Sequence, residues 1–382
     1  VSYESRIQST LTLSNVANTI TANTVQVSNS NNNNASPGVI TLGEGTNEIY
    51  ANTINIGRGK GNGTVAFAST ADGPGTVIIA GKAGEADINL AAYPSSGTGA
   101  TLQGLLDLRG HQAQVTADAV LIGHRNDTGG GGANGNLYFD GGTFTANSVT
   151  VGSKPGSSGG TATGNLYISD GDFTVNPGGT LLIAAGTGGR VAGNVYLSGG
   201  TLTTPAIAAG GGAAVFSFTG GTLHVETFGT SALPFNLNNV AGTLAPGTSI
   251  GTTEVWGNYA QGSSATLEIE VDPTGIDELI VHGDVDLQGD LHLILLSPIL
   301  DSTSFLLLDN AGANPISGRF EGLEEGSVFY ADGVTGNPFL ITYMGGDGND
   351  IVLTVVPEPA SLTLLALTAA GLGGYLRRRR RA

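Results

Sequence analysis

Apolar and polar residues alternate in short runs along most of the chain, and glycine-rich turns break the runs. A period of two is the signature of half-buried β-strands. The clearest runs recur. Gly135-Asn136-Leu137-Tyr138-Phe139 returns as Gly164-Asn165-Leu166-Tyr167-Ile168 and as Gly193-Asn194-Val195-Tyr196-Leu197, each copy beginning 29 residues after the one before. Each runs on through a small-residue turn into a second strand, at Gly142-Thr143-Phe144, Gly171-Asp172-Phe173 and Gly200-Thr201-Leu202. A shortened copy occupies residues 216–223, and weaker relatives lie upstream at 54–57 and 120–123. One repeat of this size cannot bury its own apolar face. Stacked neighbours supply the core, which predicts an all-β fold built as a parallel β-solenoid (β-helix). Leu137, Phe139, Leu166, Ile168, Val195 and Leu197 are then expected to point inward. Asn136, Asn165 and Asn194 are expected to form an amide ladder at about 4.8 Å spacing, with Tyr138, Tyr167 and Tyr196 beside it. A row of β-hairpins or a β-sandwich is the alternative arrangement of the same strands.

Composition sharpens this picture. Glycine supplies 63 of 382 residues, and charged residues are only 12%, so turns are frequent and the exterior is largely Thr, Asn and Ser. The 40% apolar content, because it alternates, excludes a disordered chain. With no cysteine there is neither a disulfide framework nor a Cys-ligated metal. The net charge of −17 is unevenly spread: residues 239–356 hold 17 acidic residues against the single base Arg319, whereas residues 1–238 hold 13 acidic and 8 basic. Such an exterior argues against nucleic acid and anionic lipid as partners. It suits divalent cations, or solubility alone.

The last residues follow a different rule. Val356-Pro357-Glu358-Pro359 precedes an uncharged apolar run, residues 360–376, and then Arg377, Arg378, Arg379, Arg380 and Arg381. Seventeen residues at ~1.5 Å each make a helix of roughly 25 Å, just enough for a single C-terminal transmembrane helix. The arginines place its far end in the cytoplasm and the preceding domain outside. A plain membrane anchor with a strand-ending Pro pair has this form. The order Pro-Glu-Pro, short span, arginine cluster also resembles the PEP-CTERM sorting signal of Gram-negative bacteria. The resemblance implies processing by an exosortase, a membrane-embedded protease-transpeptidase. It makes Pro357, Glu358, Pro359 and Arg377 to Arg381 substrate residues of that partner and not catalysts. Export further implies a signal peptide that the chain, starting at Val1, does not show.

From about residue 239 glycine thins and apolar strands lengthen, so the chain divides into a solenoid region (1–238), an acidic β-rich cap region (239–356) and the sorting signal (357–382). Residues 242–247, 257–259, 265–279 and 289–291 and the run from Gly345 to Asp350 resemble the C-terminal part of autotransporter-type passenger proteins and of many PEP-CTERM proteins. No outer-membrane barrel accompanies them. The region is expected to cover the open end of the solenoid, which would otherwise be an aggregating edge.

Candidate chemistry is sparse. Gly345-Gly346-Asp347-Gly348-Asn349-Asp350-Ile351-Val352-Leu353 fits the calcium nonapeptide G-G-x-G-x-D-x-U-x throughout, with Asp350 and Asp347 as ligands for Ca²⁺. Such sites form between stacked copies, however, and a single copy also reads as a tight turn. No other cofactor is implied. His282, Asp284, Asp286, Asp290 and His292 alternate with apolar residues and could share one face for a metal, or simply form the wet face of a hairpin. Lyases and hydrolases built on β-helices need convergent carboxylates, whereas Asp107, Asp118, Asp127, Asp140, Asp170 and Asp172 are scattered, most of them beside glycine turns. The chain is therefore read as a non-enzymatic structural protein of the cell surface or extracellular matrix, anchored at the C-terminus before processing. Adhesion and an extracellular polysaccharide partner belong to that reading. A carbohydrate-active enzyme is the alternative. A groove with three or more convergent carboxylates would favour the enzyme, a smooth Thr/Asn/Gly exterior the scaffold.

Overall fold

The computed structural model describes residues 8–30, 37–93, 101–126, 130–156, 159–333, 336 and 338–357. Among them every regular element is a β-strand, and the strands wind into a parallel β-solenoid of about ten turns. Each coil has three faces. The strands Gly132–Phe139, Gly142–Lys154 and Thr161–Ile168 show how the faces follow one another. The first pairs in parallel with Thr161–Ile168, one coil further on. Gly142–Lys154 bends at Asn147, so that its first half forms the second face and its second half the third.

The 29-residue spacing is the register of the ladder. Asn136 pairs with Asn165 and Asn165 with Asn194, and Tyr138, Tyr167 and Tyr196 align two positions on. The residues expected inside are inside: Leu137, Phe139, Leu166, Ile168, Val195 and Leu197 are all buried. Phe144 and Phe173 stack at 4.6 Å beneath them, each met edge-on by Phe139. Outside, Asn165 Nδ2 donates to Asn136 Oδ1 and Asn194 Nδ2 to Asn165 Oδ1, both at 2.9 Å. The tyrosine rings stack at 4.3 and 4.7 Å, and the Arg109 guanidinium closes one end of the stack at 4.1 Å from the Tyr138 ring. A second polar ladder, Asp118–Asn147–Asn176, runs along the bend between the second and third faces.

Glycine has one specific structural use here. Gly123 and Gly152 take φ of +69° and +73° on the third face, where Ala184 does the same at +58°. The left-handed kink turns this strand toward the first face of the next coil, and the two backbones nearly touch. A Cβ on Gly135, Gly164 or Gly193 would lie 2.2–2.5 Å from the backbone nitrogen of Gly123, Gly152 or Ala184 respectively. The first letter of the Gly-Asn-Leu-Tyr repeat is therefore the point where each coil closes.

The change of texture at residue 239 is not a change of ladder. Thr222 pairs with Thr243, Thr243 with Thr266 and Thr266 with Asp290, all in parallel, and the other two faces continue likewise. The part that departs from the solenoid is smaller than residues 239–356. Strands Ser304–Asn310, Asp350–Val355, Phe339–Gly345 and Val328–Phe329 form an antiparallel sheet in that order at the end of the stack. Antiparallel return strands occupy the last ladder's hydrogen bonds, which blunts the edge. The proposed transmembrane helix, with Glu358, Pro359 and Arg377 to Arg381, lies outside the described residues.

Candidate functional site

The chain leaves the cap through the strand Asp350–Val355. Val356 N–H donates to Pro338 O at 2.9 Å, and Pro357, which has no N–H to continue the ladder, is half-buried at the edge of the sheet. The strand is thus stopped where Pro-Glu-Pro begins. Residues 355–381 match the PEP-CTERM protein-sorting motif. No curated protein matches the chain. The PEP-CTERM motif implies export, membrane anchoring at the C-terminus before processing, and recognition by an exosortase-type enzyme.

The nonapeptide is the hairpin turn between the last two strands of the cap. Gly348 N–H closes it on Gly345 O at 2.7 Å, and Gly346 and Gly348 take φ of +53° and +111°. Asp350 is buried. Its Oδ1 accepts the Asn310 N–H at 2.9 Å, and its Oδ2 lies so close to Gly346 that a Cβ there would meet it at 1.6 Å. Asn349 Nδ2 donates to the carbonyls of Asn310 and Gly312. The turn is therefore clamped to residues 310–312, with Asp350 as the acceptor that holds it. Asp347 is exposed. Burial, followed by the charges of Asp350 and Asp347, pushes the Asp309 carboxyl above its usual range, so three carboxylates share this corner. Among the described residues no group of three or more His, Asp or Glu side chains is arranged to hold a metal.

His282, Asp284, Asp286, Asp290 and His292 do not share a face. They follow the course of one coil across strands Glu278–Val281, Val285–Leu287 and Asp290–Leu295, each paired in parallel with the coil before, so the hairpin expectation is replaced by three successive faces. His282 stacks on Trp256 at 3.7 Å and its Nε2 meets Glu254 at 2.8 Å. His292 bridges Glu268 at 3.0 Å and Asp332 at 3.2 Å. These histidines cross-link coils.

One grouping was not legible in the sequence. A cleft of about 60 Å³ at the corner of the second and third faces is lined by His224, Glu268, Glu270 and Asp277, contributed by neighbouring coils. It adjoins a wider groove of about 510 Å³ bordered by Glu226, residues 247–252, Glu254 and Ile280. The only hint in sequence is the outward pair Glu268 and Glu270 on Thr266–Asp272. Asp277 is buried, and its two oxygens accept the Gly251 and Glu270 N–H groups, both at 2.7 Å. Burial pushes its carboxyl up to about 6, with help from Glu270 and Glu268 and against those two hydrogen bonds.

Its sign sets a pH prediction. The folded state keeps the Asp277 proton through a range where the unfolded chain, near its usual 3.8, has lost it. Stability from this group is full below about pH 4 and is lost as pH rises through 6. Thermal melting between pH 4.5 and 7.5 should show Tm falling with pH in the wild type. Asp277→Asn should shrink that fall. An equal slope in both proteins assigns it to other carboxylates.

Proposed function

We propose that this is an exported, exosortase-processed structural protein whose β-solenoid serves a non-catalytic role at the cell surface or in the extracellular matrix, with adhesion to extracellular polysaccharide as the specific task. The observation that carries the reading is the PEP-CTERM motif, which follows directly on the last strand of the antiparallel cap that ends the parallel ladder. The long outward ladders of Asn and Tyr support the scaffold role, because they are built from side chains that satisfy each other and form no enclosed site. The likeness of residues 239–356 to passenger regions belongs to the same proposal, and parallel coils there are consistent with it. The test is intact mass of the cell-associated and released protein. Processing predicts a released form lacking the apolar run and its arginines. A released form that retains them overturns the reading.

A carbohydrate-active enzyme is the second reading, favoured by the convergence of Glu268, Glu270 and Asp277 on one cleft. Three facts weigh against it. Both Asp277 oxygens are taken by the main chain, Glu268 is held by His292, and the cleft is far below the ~300 Å³ at which ligand pockets begin. In the wider groove Glu254 is engaged by His282.

For residues 345–353 the turn is preferred over calcium, since Asp350 already serves Asn310. Calcium and magnesium at equal ionic strength are expected to raise Tm equally by screening the acidic surface. A calcium-specific rise that Asp350→Ala abolishes would assign the ion to Asp350 and Asp347.

A further inference from the structure

The antiparallel sheet of the cap has one end at which the chain departs. In strand order, that end carries the start of Ser304–Asn310, the end of Asp350–Val355, the start of Phe339–Gly345 and the end of Val328–Phe329. Two loops flank the departing chain. Ser302 N–H donates to Val355 O at 2.8 Å, which fixes residues 300–303 beside it. Val356 N–H donates to Pro338 O on the other side. Leu300, in the first loop, is 83% exposed; Tyr330, just past Phe329, is 62% exposed, and Val328 beside it 56%. An exposed leucine and an exposed tyrosine therefore flank the point where the chain leaves.

What covers this rim follows from chain length. The apolar run begins at Ala360, three residues beyond Pro357. Three residues span at most about 11 Å. Whenever the run is in a bilayer, the cap cannot stand off from it. We propose that, before processing, this end of the cap rests on the outer surface of the membrane, with Leu300 and Tyr330 among the lipid headgroups. Tyrosine suits that depth, with an apolar ring and a polar tip. Asp301 and Asp332 are exposed nearby, so zwitterionic headgroups are the matching surface. Met344, 71% exposed, marks the other end of Phe339–Gly345, about 17 Å further along the strand, and stands clear of the bilayer. The inference rests on the anchoring implied by the sorting motif. It adds that the folded domain itself touches lipid, which puts the Pro-Glu-Pro segment at the membrane surface.

The chain has no cysteine, so single labels are clean. Full-length protein carrying Leu300→Cys, Met344→Cys or Thr363→Cys, labelled with bimane, is reconstituted in phosphatidylcholine vesicles containing headgroup spin-labelled lipid. The label at 363 reports the anchor. At 300, quenching at least twofold greater than at 344 is expected, with a blue shift of emission on reconstitution. Equal quenching at 300 and 344 with 363 buried in lipid overturns the contact and leaves the anchor standing. Quenching at 300 without a blue shift also overturns it, as proximity by tether alone. A label at 363 that stays in water removes the anchor, and the contact with it.

Discussion

Gly164→Val should strongly destabilise the solenoid. The new Cβ would lie 2.2 Å from Gly152 N and 2.3 Å from Ile122 O; Ile122 is paired in the ladder, and Gly152 is fixed between the paired residues Val151 and Ser153. A flexible side chain could move away; a backbone nitrogen in a left-handed kink cannot without opening the coil. Overpacking against side chains costs about 1–3 kcal/mol, and a backbone clash in the middle of a stack should exceed that. Each coil is stabilised mainly by its two neighbours, so the fault also weakens the interfaces above and below. A Tm at least about 5 °C lower is expected, with loss of soluble yield. Gly189→Ala is the matched control: it is exposed, has no atom within 4 Å of the added Cβ, and should leave Tm unchanged. If the two variants melt alike, the proposed closure of each coil through its first-face glycine is wrong.

Replacing Pro357, Glu358 and Pro359 together with alanine should cut release of the protein at least tenfold without loosening it from the membrane. The apolar run of residues 360–376 and the five arginines that orient it are untouched, so insertion is preserved. The folded cap should survive as well, since the strand Asp350–Val355 ends before the substitutions and the Val356 N–H bond to Pro338 remains. What disappears is the segment within the matched sorting motif that an exosortase-type enzyme would read. Intact mass of the cell-associated variant should equal that of the unprocessed chain. Normal processing of the triple variant would reduce the tail to an ordinary anchor.

Legibility in the sequence differs from residue to residue. The inward set from Leu137 to Leu197, the Asn136–Asn165–Asn194 ladder and the tyrosine stack beside it were legible because three consecutive coils have equal length. Period-two alternation then gives the face, and equal spacing gives the register. Elsewhere corner loops of unequal length hide the register. Hydrogen-bonded partners on adjacent coils stand 22 residues apart at Asn236 and Asn258 but 41 apart at Asn62 and Gln103. The ladder across residue 238 was missed for that reason: composition changes there, while pairing does not.

The sequence by itself therefore determined the strands, their buried faces, the repeat register of the central coils and the order of features in the tail, because each is written in local periodicity or in a contiguous motif. The tertiary structure alone decided where the solenoid stops and the antiparallel cap begins. It also decided that Asp350 clamps a turn against Asn310, that Asp277 is buried beside Glu268 and Glu270, and that Leu300 and Tyr330 ring the departing chain. These are contacts between segments separated by loops of variable length. Alternation along one strand says which way a side chain points, but only the stacking of coils says what it meets.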